Sequence, residues 1–152
     1  EVWRYLPLQE KPGSVHLVEF PAVRPEYVDE GLAAEWERLL QVRDEVLRAL
    51  EAARKEKRIG SAQEAAVELV VPEASIDLLT THREDLETIC IVSRLTVRRG
   101  AEVGTDPAIA VRVERAPGAK CPRCWNYREH VGSSAAHPSL CGRCASALEG
   151  RG

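Results

Sequence analysis

The sequence predicts an α+β fold, in which a long amphipathic helix packs on a small β-sheet and a short cysteine-rich finger follows. Three observations support this prediction. Apolar residues recur every three or four positions over residues 31–57, short apolar or alternating segments follow over residues 65–116, and two Cys-x-x-Cys pairs lie within residues 121–144. A hydrophobic content of 44% in 152 residues is enough to form a core.

Composition divides the chain into three regions, which we place at residues 1–30, 31–116 and 117–152. The first region contains four prolines and shows no sustained hydrophobic period. We therefore expect the end of a helix followed by an extended, irregular connection. The second region holds the helix and the sheet, and the third holds the finger.

One amphipathic helix of about seven turns is predicted from Leu32 to Lys57. Its apolar positions are Leu32, Trp36, Leu39, Leu40, Val46, Leu47, Leu50 and Ala53. Four basic residues occupy the end of the helix, where the helix dipole favours cations: Arg54, Lys55, Lys57 and Arg58. Gly60 is the predicted stop, because glycine tolerates the left-handed backbone that often ends a helix.

The residues after the helix alternate between strand and helix patterns. The stretch AAVELVVP (65–72) predicts a strand closed by Pro72, and ASIDLLTTHREDLETI (74–89) predicts a short helix or two turns. The stretch CIVSRLTVRR (90–99) predicts a second strand that begins with Cys90, whose isolated thiol we expect to be buried.

A third strand is predicted over AIAVRVERA (108–116), and APGAK (116–120) is interpreted as a linker to the finger. The strand places Ile109, Val111 and Val113 on one face and Arg112 and Glu114 on the other. Such alternation is typical of a half-buried strand.

Composition also excludes several protein classes. No run of about 18 apolar residues and no secretory signal pattern is present, so we expect a cytoplasmic protein that does not enter a membrane. The chain starts at Glu1 and contains no methionine, which indicates a piece of a longer protein. Residues 115–152 carry a net charge of +4 and the rest of the chain carries −7, so the finger is the electropositive end.

The finger has the spacing C-x2-C-x16-C-x2-C, which predicts one zinc ion held by four thiolates. The four ligands are Cys121, Cys124, Cys141 and Cys144. Two intervening residues allow a tight turn to direct both sulfurs of a pair at one metal. We expect Pro122 and Gly142 to suit these turns, Gly142 by tolerating positive φ. A full tetrahedral shell leaves no open position, so the zinc is expected to be structural and the finger zinc-ribbon-like.

Other uses of these cysteines are less consistent with the sequence. Paired disulfides are disfavoured in a reducing cytoplasm, and a redox Cys-x-x-Cys needs only one pair. His130 and His137 lie between the pairs, but four thiols already complete the shell, so we interpret both histidines as surface or turn residues.

Basic and aromatic residues crowd the first cysteine pair, and these residues have two interpretations. They can bind phosphate or guanine edges and stack on unpaired bases, or the aromatic rings can form the core of a small finger while the arginines offset thiolate charge. The candidate RNA-binding residues are Lys120, Arg123, Trp125, Tyr127, Arg128 and Arg143. Composition alone does not decide between the two.

The motifs KCPRCWNYREHVG and HPSLCGRC resemble the C-terminal zinc finger of bacterial isoleucyl-tRNA synthetases. Upstream, EVWRYLP and SVHLVEFP resemble the exit of the anticodon-binding helix bundle of that family. The stretch from Glu35 to Leu69 resembles the helix and strand that follow, and IVSRLTV resembles the next strand. The resemblance covers essentially the whole chain and is weakest from Arg99 to Pro117.

The resemblance implies a role in protein biosynthesis as the C-terminal tRNA-binding part of a class I ligase. The ATP-dependent core of that family, with its HIGH-type and KMSKS-type motifs, does not occur here, so the chain alone is expected to be inactive and to contain no catalytic residue. The implied partners are the anticodon stem-loop of tRNA(Ile) and the rest of a monomeric synthetase. By position in the motif, Arg123 and Trp125 are the main candidates for contact with the anticodon loop.

Two other classes remain open at this point. DNA glycosylases of the formamidopyrimidine type end in a similar four-cysteine finger, although nothing in residues 1–116 resembles their helix-two-turn-helix region. A free-standing zinc ribbon that binds RNA or protein fits the charge pattern but does not explain the upstream resemblance.

Overall fold

The apolar stripe predicted for residues 32–57 forms one long helix, α2 (Glu30–Lys55), in the computed structural model, which describes residues 1–100 and 109–150. Its buried residues are Leu39, Val42, Val46, Leu50 and Ala53. These side chains belong to the same hydrophobic core as the buried face of the sheet. The predicted α+β class, with a long helix packed on a small sheet and a four-cysteine finger, is therefore confirmed.

The chain divides into two units, Glu1–Gly31 and Leu32–Gly152. The first unit contains helix α1 (Val2–Tyr5) and two 3₁₀ turns, Val15–Leu17 and Pro25–Tyr27. Lys11 connects its first turn to the loop that follows, because its ammonium group donates to the carbonyl oxygens of Trp3, Arg4 and Leu6 at 2.8, 2.9 and 3.0 Å. None of its residues is fully buried, and most of its large apolar side chains are exposed.

The three-stranded sheet of the second unit has the order β2-β1-β3. Strands β1 (Ala65–Val71) and β2 (Arg94–Arg99) are parallel, and β3 (Ala110–Arg115) runs antiparallel to β1. The parallel pair requires a crossover, which helices α3 (Glu73–Thr81) and α4 (Arg83–Ile89) provide. The predicted helix or pair of turns over residues 74–89 is thus two helices.

Alternate residues of β1 point to opposite sides of the sheet. Those on one side, such as Val67 and Leu69, are buried in the core. On the other side Glu68 lies between Arg98 and Arg112 on the neighbouring strands, with a nitrogen–oxygen distance of 3.2 Å to each. The third strand follows the predicted alternation in its described part, while Ala108 lies outside the described residues.

Two sequence predictions of element ends were wrong for the same reason. Helix α2 ends with Lys57 in the left-handed conformation (φ 59°) rather than at Gly60, and the N–H of Arg58 donates to the carbonyl oxygen of Ala53 at 2.9 Å. Helix α4 ends with Ile91 at φ 57°, so Cys90 caps a helix instead of beginning a strand. Both ends form Schellman motifs without glycine, which composition alone does not indicate.

Strands β4 (Ala119–Lys120) and β5 (Tyr127–Arg128) form an antiparallel hairpin, and α5 (Gly142–Leu148) follows. The stretch APGAK is not a loose linker. Ala116 is buried and its N–H donates to the carbonyl oxygen of Glu64 at 2.7 Å. Gly118 adopts φ 89°, and a Cβ atom there would lie 2.3 Å from the carbonyl oxygen of Arg128. Only glycine fits this close approach. No helix within the described residues has the length and apolar character needed to cross a membrane.

We expect Ile91→Gly to stabilise the protein by about 1 kcal/mol, because the left-handed conformation is unfavourable for a β-branched residue and the Ile91 side chain is 60% exposed. Urea unfolding followed by circular dichroism measures the change. The control is Ile91→Ala, which removes most of the side chain and retains the Cβ atom. If both variants are less stable than the wild type, Ile91 contributes packing that outweighs its backbone strain. A glycine variant less stable than the alanine variant would show that relief of this strain does not offset the greater freedom of the unfolded glycine chain.

Candidate metal centre

The four predicted ligands converge on one point. The Sγ atoms of Cys121, Cys124, Cys141 and Cys144 all lie within 4.8 Å of one another, and those of Cys124 and Cys141 are 3.8 Å apart. Sulfur atoms about 2.3 Å from a central zinc form a tetrahedron with edges of about 3.8 Å. The donor set and its spacing therefore fit a zinc ion. No other residue in the described ranges joins this group of metal-binding side chains.

Two local turns place the sulfurs. In the first, the N–H of Trp125 donates to the carbonyl oxygen of Cys121 at 2.8 Å, and Trp125 itself is left-handed (φ 66°). In the second, Cys141 caps the N-terminus of α5, and Cys144 lies within that helix. The expectation that Gly142 uses positive φ was wrong, since it begins α5 with an ordinary φ and packs near the ring of His130.

The local environment shifts the pKa values of the finger thiols in different directions. Burial alone would raise the pKa of Cys121, but N–H groups of Cys124, Cys141 and Arg123 donate to its sulfur and lower that pKa to about 6. Burial raises the pKa of Cys141 to about 12 and also raises that of Cys124. Four adjacent thiolates therefore require a cation, which displaces the remaining protons on binding.

Few apolar side chains surround the sulfur atoms. The partly buried side chains packed against Cys121, Cys141 and Cys144 are those of Val131 and Leu140, together with Cys124. Trp125 is 58% exposed, and neither Trp125 nor Tyr127 belongs to this cluster. The interpretation that the ring of Trp125 fills the core of the finger is therefore wrong, whereas Tyr127 is half-buried outside the cysteine cluster.

The basic residues of the finger occupy two different environments. Lys120, Arg123 and Arg143 are exposed, and within the described part of the chain none of them forms an ion pair. The Lys120 ammonium lies 5.6 Å from the centroid of the Trp125 ring, within range of a cation–π interaction. Arg128 instead contacts Glu87 of α4 at 2.6 Å and is only 24% exposed, while Tyr127 is half-buried. His130 is exposed and His137 is half-buried.

Sequence reasoning missed two residues beside the finger, Ser93 and Glu87. Ser93 is fully buried and bonded to the hairpin, and Glu87 is the partner of Arg128. The one sequence signal for Ser93 was a hydroxyl within an otherwise apolar stretch. Glu87 gave no signal, because its role depends on a partner 41 positions away.

The geometry defines a four-cysteine zinc finger, and the finger has known relatives. Residues 118–147 match the family described as a zinc finger found in FPG and IleRS. Nearly the whole chain is similar to isoleucine–tRNA ligases: it is 43% identical to that of Geobacter sulfurreducens over 98% of its length, and 44% identical to that of Desulforudis audaxviator over 99%. The ligase of Moorella thermoacetica is 41% identical over 98% of the chain.

These similarities confirm the resemblance to isoleucyl-tRNA synthetases over essentially the whole chain. The chain spans 17% of the length of each of these three ligases.

We expect Cys121→Ser to lower the zinc content well below one equivalent and to disorder residues from about 118 onward, because so small an apolar cluster leaves metal binding to supply folding free energy on the order of 10 kcal/mol. Metal analysis and amide NMR spectra measure the two effects. The control is Cys90→Ala, which should retain its zinc because Cys90 lies in the other core. A serine variant with full zinc and an ordered finger would contradict the assignment.

We expect Cys90 to resist alkylation in the folded protein. Burial raises its pKa to about 11, although the charge of Arg43 acts in the opposite direction, so at pH 8 only about one thiol in a thousand is ionised. Iodoacetamide labelling followed by peptide mass spectrometry should modify the four finger cysteines after chelation and Cys90 only after denaturation. Rapid labelling of Cys90 before denaturation would show that this part of the core opens.

Proposed function

We propose that the chain is the C-terminal tRNA-binding part of an isoleucine–tRNA ligase, and that its finger contacts the anticodon stem-loop of tRNA(Ile). The similarity to such ligases over 98% of the chain supports this proposal. The HIGH-type and KMSKS-type motifs of class I synthetases are missing from the sequence, so ATP binding and aminoacylation belong to a core outside it. The finger holds one structural zinc ion through its four cysteines.

The exposed indole of Trp125 carries the argument for RNA. An apolar ring that is 58% exposed gains little from burial, and a left-handed backbone is unusual for tryptophan. The turn thus presents the ring at the surface. Aromatic faces at the surface stack on unpaired bases, and the anticodon loop is a single-stranded segment that supplies them.

The charges around Trp125 suit the phosphate backbone. Lys120 and Arg123 lie within five positions of the ring, and Arg143 lies beside the second cysteine pair. Because none of the three forms an ion pair within the described residues, each can bind phosphate without first breaking an ion pair, although Lys120 lies 5.6 Å from the centroid of the Trp125 ring. We assign the RNA contact to these three residues and Trp125. Tyr127 and Arg128, which the sequence also suggested, are half-buried.

A finger from a DNA glycosylase or a free-standing zinc ribbon accounts for less of the chain. The zinc-finger family that includes FPG covers residues 118–147 alone. The ligase similarity also covers the helix, the sheet and nearly all of the first unit. We therefore propose no role in DNA repair.

We expect Trp125→Ala to weaken binding of a tRNA(Ile) transcript by about 1–3 kcal/mol, the range for one base stacked on an aromatic face. Fluorescence anisotropy with the zinc-loaded chain measures the affinity. Zinc content and thermal stability should change little, because the ring is outside the finger core. The matched control is Leu148→Ala, which removes another exposed apolar side chain (52%) from the finger. A tryptophan variant with wild-type affinity would refute the stacking role.

Salt dependence separates two roles for Arg123 in the same assay. If Arg123 contacts a phosphate, Arg123→Ala should weaken binding to all tRNAs alike and reduce the slope of log affinity against log salt by about one. If Arg123 instead hydrogen-bonds to a base edge, Arg123→Ala should leave the salt slope unchanged and reduce the preference for tRNA(Ile) over other tRNAs. An Arg123→Ala variant that changes neither quantity would remove this residue from the proposed interface.

A further inference from the structure

The finger is attached to the sheet by more than its covalent connection. Ala116 and Gly118 hold the connecting segment against Glu64 and the Arg128 backbone. Beyond this segment, a small group of polar residues joins the hairpin to the start of β2 and to α4. We infer that this group, Ser93, Arg128 and Glu87, sets the orientation of the finger, so that Arg128 and Glu87 are positioning residues for tRNA recognition. The inference rests on the proposed function.

Ser93 is the one fully buried polar residue in the described ranges, and all of its hydrogen-bonding groups have partners. Its hydroxyl accepts from the N–H of Tyr127 at 2.7 Å and donates to the carbonyl oxygen of Gln63. Its own N–H donates to the carbonyl oxygen of Ala65 at 3.0 Å. One hydroxyl therefore connects the hairpin to the segments that enter β1 and β2. Because this buried hydroxyl is hydrogen-bonded to both Tyr127 and Gln63, it restricts rotation of the hairpin relative to the sheet.

Arg128 extends this connection to a helix. One guanidinium nitrogen donates to the carbonyl oxygen of Ser93, and the other donates to Glu87 at 2.6 Å. The second carboxylate oxygen of Glu87 accepts from the N–H of Leu95 at 3.2 Å. Glu87 is 16% exposed, so water competes weakly for this pair. The planar guanidinium reaches two acceptors at once, which the single nitrogen of lysine cannot reproduce in the same geometry.

A second ion pair between the finger and the sheet is much weaker. Arg94 and Glu129 approach to 3.7 Å, and their side chains are 53% and 70% exposed. Exposed pairs of this kind contribute little to stability. The orientation of the finger therefore depends mainly on the group formed by Ser93, Arg128 and Glu87.

The docked residues and the proposed RNA-binding residues share one hairpin. Lys120 of β4 pairs with Tyr127 of β5, and Trp125 lies in the turn between these strands. Fixing Tyr127 and Arg128 thus also fixes Lys120 and Trp125 relative to the sheet. A finger held in one orientation loses less conformational freedom when RNA binds, and preorganisation of this kind raises affinity.

The test compares Arg128→Lys and Arg128→Gln with Arg115→Gln in the zinc-loaded chain. Arg115 is the matched control because it is 66% exposed and lies 3.9 Å from its carboxylate partner, Glu64. Residual dipolar couplings report whether finger and sheet amides share one alignment, and amide exchange at Tyr127 reports the contact with Ser93. Binding of a tRNA(Ile) transcript reports the functional consequence, and zinc analysis confirms that the metal site is intact.

We expect both Arg128 variants to retain one zinc, to accelerate exchange at Tyr127 by about ten- to a hundred-fold, and to give separate alignments for the finger and the sheet. Affinity for the tRNA should fall about five- to ten-fold, while Arg115→Gln stays within two-fold of the wild type. Should Arg128→Gln lose its zinc, Ser93→Ala and Glu87→Gln provide the same readings without changing a residue of the finger.

Two results would overturn the inference. A single shared alignment in the Arg128 variants would show that other contacts orient the finger. Separate alignments with unchanged tRNA affinity would show that orientation does not affect recognition, although the RNA contact of Trp125 would stand. If the wild-type chain has no affinity for the tRNA, the proposed function and the positioning role both fail, while the alignments still decide whether this group docks the finger.

Discussion

Four thiols brought within 4.8 Å of one another cannot all ionise without a cation, and we expect the order of the finger over residues 119–150 to depend on this constraint. The finger has few apolar side chains to bury, so hydrophobic burial alone cannot hold its two turns and its short helix together. A metal ion supplies what the core lacks. Trp125 is then not needed for packing in the finger core, and its ring remains 58% exposed.

The helix and sheet use a different source of stability. The stripe along α2 and the inner face of β1 form a continuous hydrophobic core, with helices on one side of the sheet and charged residues such as Glu68 on the other. Within its described residues, this part of the chain contains no cluster of metal-binding side chains. The finger contacts this region through a buried hydroxyl, a guanidinium and a carboxylate. Hydrogen bonds between such groups depend on angle, so they restrict the orientation of the finger more than apolar contacts would.

The finger and the helix–sheet core have different roles in the proposed tRNA-binding module. In the proposed function, the exposed cations attract the phosphate backbone independently of sequence, the exposed Trp125 ring stacks on a base, and the hairpin that carries Lys120 and Trp125 holds both in position. Lys120, Arg123 and Arg143 form no ion pair within the described residues, whereas Arg128 has the same charge and pairs with Glu87. Residue type alone therefore does not distinguish a binding arginine from a docking one.

The sequence by itself determined the fold class, the long helix and the four cysteines that cluster in the finger. Periodicity and cysteine spacing are local properties, and the burial of Leu39 and Val46 or the convergence of Cys121 and Cys141 follows directly from them. Only the tertiary structure decided that Ile91 ends a helix, that Trp125 is exposed, and that Arg128 binds Glu87. These features depend on contacts between elements that are far apart in the sequence. Glu87 and Ser93 are 41 and 35 positions from Arg128, and a contact at that separation exists only after the sheet, the crossover helices and the finger have come together.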